Sequence, residues 1–320
     1  MKSNRILYLN VKRHPEELKN LIRAKLRDSS LNFDEVEYAD LKQVDLSSLS
    51  EVSAVLLAPA RYVDDEILRG LKHCKLIQIW SSGYDKFNLE SAKQLGLTVS
   101  NNGGANSRSV AEHTMNMILG ISRRNIEMHQ RVIKGLWSGN DHGMSSHSLD
   151  GKTLGLIGYG KIARIVEQLA LAFRMKVIFN DIREDLKNEF NFRKLEILVQ
   201  ESDYISLHVH LNIQTKSLID DRLFELMNER KPYLINVSRA ELIDEGALET
   251  ALDTGQISGL AMDVHYTEPN HPNSQIYSYE NTLFSPHIAG STIETYRSAI
   301  DFCIENILRA LRKEEIKSVL

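Results

Sequence analysis

The sequence predicts an α/β protein made of two doubly wound, parallel-sheet domains. Three observations carry the prediction. At 320 residues the chain exceeds the usual size of one domain. Short apolar runs alternate with helix-period segments almost from end to end. The rhythm lapses in a Gly- and Ser-rich stretch between Gly135 and Asp150, and then restarts. Strands that are apolar throughout, separated by helices, belong to a parallel sheet covered on both faces.

In the first part, residues 6–9, 54–57 and 76–79 read as buried strands, with 97–99 a weaker fourth. Helical periodicity falls between them, at 15–27, 64–70 and 88–95. Four strands suit a smaller, flavodoxin-like domain. One long helical pattern then runs from Ser107 to about Lys134, with apolar Val110, Met117, Ile118, Ile121 and Ile126 and with Ser107 or Ser109 as its cap. After residue 150, strands are expected at 153–157, 177–179, 204–207, 233–237, 259–262 and 281–284, enough for a complete dinucleotide-binding sheet. Residues 292–312 close the chain as an amphipathic helix.

Composition narrows the function classes. The net charge is −4, without the basic footprint of a nucleic-acid binder, so no nucleic-acid partner is expected. No apolar run approaches the roughly 20 residues that span a bilayer, and the N-terminal apolar stretch reads as a first strand with no cleavage-site pattern behind it. Cys74 and Cys303, the only cysteines, form no metal or redox spacing. These features together point to a cytoplasmic protein.

The most informative local pattern is Gly158-Tyr159-Gly160-Lys161-Ile162-Ala163, which follows a strand and opens a helix. Gly158 permits the tight turn, Gly160 lets backbone approach a pyrophosphate, and Ala163 keeps helix and strand close. The helix N-terminus at Lys161 and Ile162 presents free N–H groups to phosphate. The next strand ends at Asp181, about 20 residues on, where a carboxylate accepts ribose hydroxyls and repels a 2′-phosphate. That favours NAD over NADP, with Arg183 two residues later tempering the preference. The plainer reading is a tight βα turn with Asp181 as a helix cap.

Three further residues fall just past expected strands, where ligands of open α/β sheets bind. Arg239, in Asn236-Val237-Ser238-Arg239, has the planar fork that grips a carboxylate. His287, in Ser285-Pro286-His287-Ile288, is the side chain that gives and takes protons near neutrality. Glu268, in Asp263-Val264-His265-Tyr266-Thr267-Glu268-Pro269, can favour the imidazolium form of His287 by bonding its far nitrogen. Each has an ordinary reading alone: a surface ion pair, a hydrogen-bonded loop histidine, a solvated loop glutamate.

Taken in order, these blocks resemble the D-isomer-specific 2-hydroxyacid dehydrogenases over nearly the whole chain, joined upstream by Ser82-Gly83-Tyr84-Asp85 and by 106–113, NSRSVAEH. The resemblance implies a Rossmann NAD-binding domain, 101–287, inserted into a flavodoxin-like substrate domain built from 1–100 and 288–320. It implies hydride transfer between NAD(H) and a small D-2-hydroxy acid or 2-oxo acid, by a homodimer formed through residues 107–134. Arg239 then binds substrate, His287 is the acid/base and Glu268 its partner. Backbone N–H groups around Ser82 and Gly83 hold the substrate carboxylate. Val237 and Asp263 line the cofactor site, Asp263 at the nicotinamide end. Trp80, Tyr84, Asn106 and Tyr296 are candidates for choosing the substrate's side chain. The alternative on the same fold is an NAD(H)-sensing, corepressor-like scaffold that retains these residues without turnover.

The chain departs from the family pattern at Ala240, which replaces a glycine, and at His208-Val209-His210-Leu211-Asn212, where the family reads H-x-P-L-T. His208 and His210 share one side of a strand, so a metal pair is conceivable there, but no third ligand is nearby; loop packing is favoured and no metal is expected. Glu268 stands where formate-oxidising relatives carry Gln, which argues against formate.

Overall fold

The computed structural model describes residues 4–137, 141–270 and 274–320. The chain divides into two compact units. One takes the N-terminal part up to Asn106 together with Ser291–Leu320; the other is Ser107–Gly290.

The first unit opens with β1 (Arg5–Asn10), whose Ile6, Leu7, Tyr8 and Leu9 are all buried. Helix α1 (Glu16–Asp28) follows Pro15 and buries Leu18, Ile22 and Leu26, one face at four-residue spacing. Glu16 and Glu17 sit in its first turn and Lys25 and Arg27 in its last, which suits the helix dipole. Strand β2 (Asn32–Glu37) was not among the expected strands. It lies at the sheet edge, and its charges are exposed or paired, with Asp34 on Arg5 and Glu35 on Arg23. An edge strand needs no apolar run, so hydrophobic patterning passes over it. Then come β3 (Val52–Leu57), α2 (Asp65–Gly70), β4 (Ile77–Ile79), α3 (Leu89–Gln94) and the two-residue β5 (Val99–Ser100). All pair in parallel, in the order β2-β1-β3-β4-β5.

The second unit begins with α4 (Ser107–Arg123), which buries Val110, Ala111, Thr114, Met117, Ile118 and Ile121. The long helix expected to reach Lys134 is instead two helices. Arg124 adopts a left-handed conformation (φ 49°, ψ 40°), and α5 (Asn125–Ile133) starts in a new direction with no buried residue. Left-handed backbone cannot continue a helix. Ile126, counted as a core position, is accordingly 59% exposed.

The sheet of this unit comprises β6 (Thr153–Ile157), β7 (Lys176–Asn180), β8 (Tyr204–Leu207), β9 (Tyr233–Asn236), β10 (Gly259–Met262) and β11 (Thr282–Phe284). Helix α6 (Lys161–Ala172) joins β6 to β7, α7 (Leu195–Glu201) precedes β8, α8 (Asp221–Met227) leads to β9, and α9 (Glu245–Asp253) to β10. The order is β11-β10-β9-β8-β6-β7, wholly parallel. Because β6 is flanked by β7 and β8, the connection reverses direction there. A crevice therefore opens at the carboxyl end of β6. Both sheets are doubly wound, as the alternation predicts.

The chain then returns to the first unit as α10 (Ile293–Arg312), capped by Thr292, whose hydroxyl accepts the Thr295 N–H at 3.1 Å. It buries Ala299, Ile300, Cys303, Ile304 and Ile307 in the same core as α1. Among the described residues, no helix is long and apolar enough to cross a membrane.

Candidate active site

In the Ser107–Gly290 unit, the residues singled out in the sequence stand at the carboxyl ends of five parallel strands. The glycine turn follows β6, Asp181 follows β7, Arg239 follows β9, Glu268 follows β10 and His287 follows β11. β9, β10 and β11 are immediate neighbours, so the loops that carry Arg239, Glu268 and His287 leave the sheet from adjacent strands, and Glu268 and His287 touch.

Gly158 has φ +87°, and a Cβ there would lie 2.7 Å from the His208 carbonyl oxygen, so only glycine fits. Gly160 is different: its φ is −80°, and a Cβ would meet no atom of the described residues within 4 Å. The space above Gly160 is therefore open, and the first N–H groups of α6, from Lys161 and Ile162, begin beside it. That is the cradle a pyrophosphate requires, and the residues present fit a dinucleotide.

Asp181 accepts the Tyr159 N–H at 2.8 Å, closing the turn, and pairs with Arg183, whose Nε donates to its Oδ1 at 2.9 Å. Burial alone would raise the Asp181 carboxyl. The Arg183 hydrogen bond and the Tyr159 and Arg183 backbone N–H groups prevail and bring it down to about 2. Val237, just past β9, is 8% exposed and packs with Tyr159 and Ala163 in the core beneath the turn.

Arg239 is half-buried; its Nη1 donates to the Ser238 carbonyl at 2.7 Å, while Asn236 Nδ2 donates to the Arg239 carbonyl at 2.7 Å. His287 Nδ1 lies 2.7 Å from Glu268 Oε1, with the imidazole 42% and the carboxylate 18% exposed. His287 is one of the few non-glycine residues with positive φ, at 56°. Such backbone is strained and persists only where its surroundings hold it.

Asp263 does the holding. Fully buried, its carboxylate accepts the Ile288 N–H at 2.9 Å and the Ala289 N–H at 2.7 Å, and the Ser285 hydroxyl bonds it from the other side of His287. Burial pushes this carboxyl up; His113, Ser285 and the two backbone N–H groups outweigh that and leave it below its ordinary value. His113, from α4, places Nε2 3.0 Å from Ser285 Oγ. A second brace comes from His265. Its Nε2 lies 2.9 Å from the Ser285 carbonyl oxygen, which can only accept, so Nε2 carries the proton and Nδ1 accepts from the Tyr277 hydroxyl at 2.7 Å. The His265 N–H also points to Glu268 Oε1 at 3.4 Å. His265 thus ties the Glu268 segment to the His287 segment.

Sequence reasoning missed His113, His265, Tyr277 and Ser285. Histidine three residues before Glu268 and serine two before His287 were available signals, but nothing in their spacing identifies a partner. His208 Nε2 lies 2.9 Å from Ser206 Oγ, and burial lowers its pKa to about 4. His210 is exposed, and among the described residues no three potential metal ligands cluster.

In the other unit, the loop after β4 holds Ser82, whose hydroxyl lies 2.6 Å from the side-chain oxygens of both Asn102 and Asn106. Asn101 Nδ2 donates to the Ser82 carbonyl at 3.0 Å. Among the described residues, no acceptor takes the N–H of Ser82 or Gly83. Trp80 and Tyr296 are tilted neighbours with centroids 6.3 Å apart.

Comparison with known proteins gives these features a context. The family model of the D-isomer specific 2-hydroxyacid dehydrogenase NAD binding domain matches residues 115–289. A glyoxylate reductase of Aeropyrum pernix is 32% identical over 274 residues, 82% of this chain and 81% of that one. One of Thermococcus litoralis is 31% identical over 282 residues, 85% and 84% of the two chains. A crystal structure of a protein from Thermus thermophilus aligns with TM-score 0.83 at 27% identity over 99% of both chains. With a glycine turn after β6 and a histidine–carboxylate pair after β10 and β11, the chain belongs to the D-isomer specific 2-hydroxyacid dehydrogenase family and is an NAD-binding oxidoreductase of 2-hydroxy and 2-oxo acids.

Proposed function

We propose that this chain reduces a small 2-oxo acid of glyoxylate size to the 2-hydroxy acid, with His287 as general acid, Glu268 as its charge partner and Arg239 as the substrate-holding cation. The observation that carries this reading is the 2.7 Å contact between His287 Nδ1 and Glu268 Oε1, on loops that follow two adjacent strands next to the one that Arg239 follows. Glyoxylate is the substrate named for relatives about 30% identical over most of their length.

A bound nicotinamide dinucleotide supplies the hydride, and the remaining work falls to the protein. Arg239 offers its fork to the carboxylate and draws electron density toward the carbonyl oxygen. His287 turns Nδ1 to Glu268, so Nε2 is the nitrogen that can protonate substrate. With hydride so supplied to the carbonyl carbon, the C=O π pair would move onto oxygen, and His287 Nε2 is the group that would give that oxygen its proton. The ring is left neutral and regains a proton from solvent. The Glu268 carboxylate holds the ring in place through Nδ1. Taken by itself, the unit that holds Ser82 and Gly83 offers two N–H groups that meet no acceptor among the described residues, beside the Ser82 hydroxyl 2.6 Å from the Asn106 side-chain oxygen.

Following NADH absorbance with glyoxylate, pyruvate and bulkier 2-oxo acids tests the reading. Turnover greatest with the smallest acid supports it. Dinucleotide binding without turnover of any 2-oxo acid refutes it in favour of a sensing scaffold.

We further infer that two copies pair through α5. This helix buries none of its residues, and Ile126, Val132, Ile133, Leu136 and Trp137 are 50–87% exposed, an apolar face no monomer leaves in water without cost. Light scattering should give twice the 36.4 kDa chain mass, and Ile133→Glu should return it toward that mass. The free thiols Cys74 and Cys303 suit a reducing compartment, so we place the protein in the cytoplasm.

A further inference from the structure

We propose that Arg183 determines which dinucleotide the protein accepts: by masking Asp181 it admits NADPH alongside NADH. The inference rests on the reading that the β6–α6 turn holds a dinucleotide. It goes beyond that reading by assigning cofactor selectivity to a residue outside the glycine motif.

A bare carboxylate after the second strand selects NAD, because it accepts the ribose hydroxyls and repels a 2′-phosphate. Asp181 is not bare. An ionised carboxylate offers about four lone-pair sites, and here all are engaged. Oδ1 accepts the Arg183 N–H at 3.0 Å and Arg183 Nε at 2.9 Å. Oδ2 accepts the Tyr159 N–H at 2.8 Å and Arg183 Nη2 at 3.1 Å. A ribose hydroxyl can reach Asp181 only by displacing one of these, and the 3.1 Å bond is the longest. Binding NADH therefore works against the Arg183 clamp.

A 2′-phosphate meets the opposite situation. Arg183 Nη2 also donates to the Tyr159 carbonyl at 2.7 Å, so the guanidinium is anchored at the rim of the turn by three acceptors. Of its five N–H donors, those on Nη1 have no partner among the described residues. They can bond a phosphate while Nε and Nη2 stay on Asp181, and the cation cancels the carboxylate's repulsion. Without that cancellation, an anion facing the 2′-phosphate a few Å away disfavours it on the order of 10²-fold or more. Arg183 is 46% exposed, so replacing it disturbs no core.

The test is equilibrium binding, read by quenching of protein fluorescence, for wild type, Arg183→Gln and Arg183→Ala. Wild type should bind NADH and NADPH with Kd values within about tenfold. Both variants should weaken NADPH by at least tenfold and leave NADH unchanged or tighter. If wild type binds both but the ratio of the two Kd values is the same in the variants, the role assigned to Arg183 is wrong. It is also wrong if wild type binds NADH alone. If neither dinucleotide binds wild type, the dinucleotide reading of the turn fails first and takes this inference with it.

Discussion

His287 Nδ1 and Glu268 Oε1 sit 2.7 Å apart although 19 positions separate them in the chain. Two adjacent strands bring them together: β10 delivers Glu268 and β11 delivers His287, in register from Leu260 opposite Thr282 to Met262 opposite Phe284. Removing the imidazole isolates its chemical contribution. His287→Ala should lower kcat on the order of 10²–10⁴-fold, the usual worth of a general acid, while NADH affinity stays within about twofold. A variant that keeps a near-normal rate would falsify the assignment of His287.

The carboxylate can be separated from its hydrogen bond. Glu268→Gln retains an acceptor for His287 Nδ1 but removes the negative charge beside the imidazole. kcat for reduction should fall on the order of tenfold or more, with little change in NADH binding. Steady-state kinetics with a 2-oxo acid checks this. An unchanged kcat means the pair is structural.

The two turn glycines should behave oppositely when changed to alanine. Gly158→Ala forces a Cβ against the His208 carbonyl at positive φ and should cost about 2 kcal/mol or more in stability. Gly160→Ala meets no atom of the described residues within 4 Å, so stability should hold within about 0.5 kcal/mol while dinucleotide affinity falls. Thermal melts with and without NADH distinguish the two.

Acid should destabilise the fold through His208. Burial lowers its pKa from 6.5 to about 4 in the folded chain. Between those values the unfolded chain binds the proton and the folded chain does not, so stability falls as pH drops from about 6.5 toward about 4. The full effect is on the order of 2–3 kcal/mol. His14 adds to it, since burial and then the charges of Arg13, Lys19 and Arg61 also lower its pKa to about 4. Denaturant titrations at pH 7 and pH 4.5 should show the loss, and His208→Gln should reduce it. Equal losses in variant and wild type would rule His208 out as the source.

Tyr277→Phe removes the hydroxyl that His265 accepts from, and with it a brace on the Ser285 carbonyl. The stability cost should be about 1 kcal/mol. If the brace positions His287, kcat should fall several-fold while KM barely moves. A stability loss with unchanged kcat would show the brace serves only packing.

Much of this architecture is legible in the linear pattern. Strands buried on both faces, such as β6 and β8, must be apolar at every position, and their helices must repeat near 3.6 residues. The glycine turn is legible because backbone at φ +87° beside a carbonyl excludes every other residue. Edge strand β2 is not, because half its surface faces water. Nor is the break at Arg124, since no Gly or Pro marks it and an ordinary residue takes the left-handed conformation.

The sequence by itself determined the α/β class and the place of the glycine turn, because both follow from local rules of backbone geometry and apolar patterning, and it named Asp181, Arg239, Glu268 and His287 as candidates through their order along the chain. Only the tertiary structure decided that buried Asp263 clamps the backbone on both sides of His287, that His265 links its segment to that of Glu268, and that Arg183 already fills the acceptor sites of Asp181. Those are contacts between chain segments or choices of rotamer. They depend on how parallel strands align at their carboxyl ends, which no run of neighbouring residues encodes.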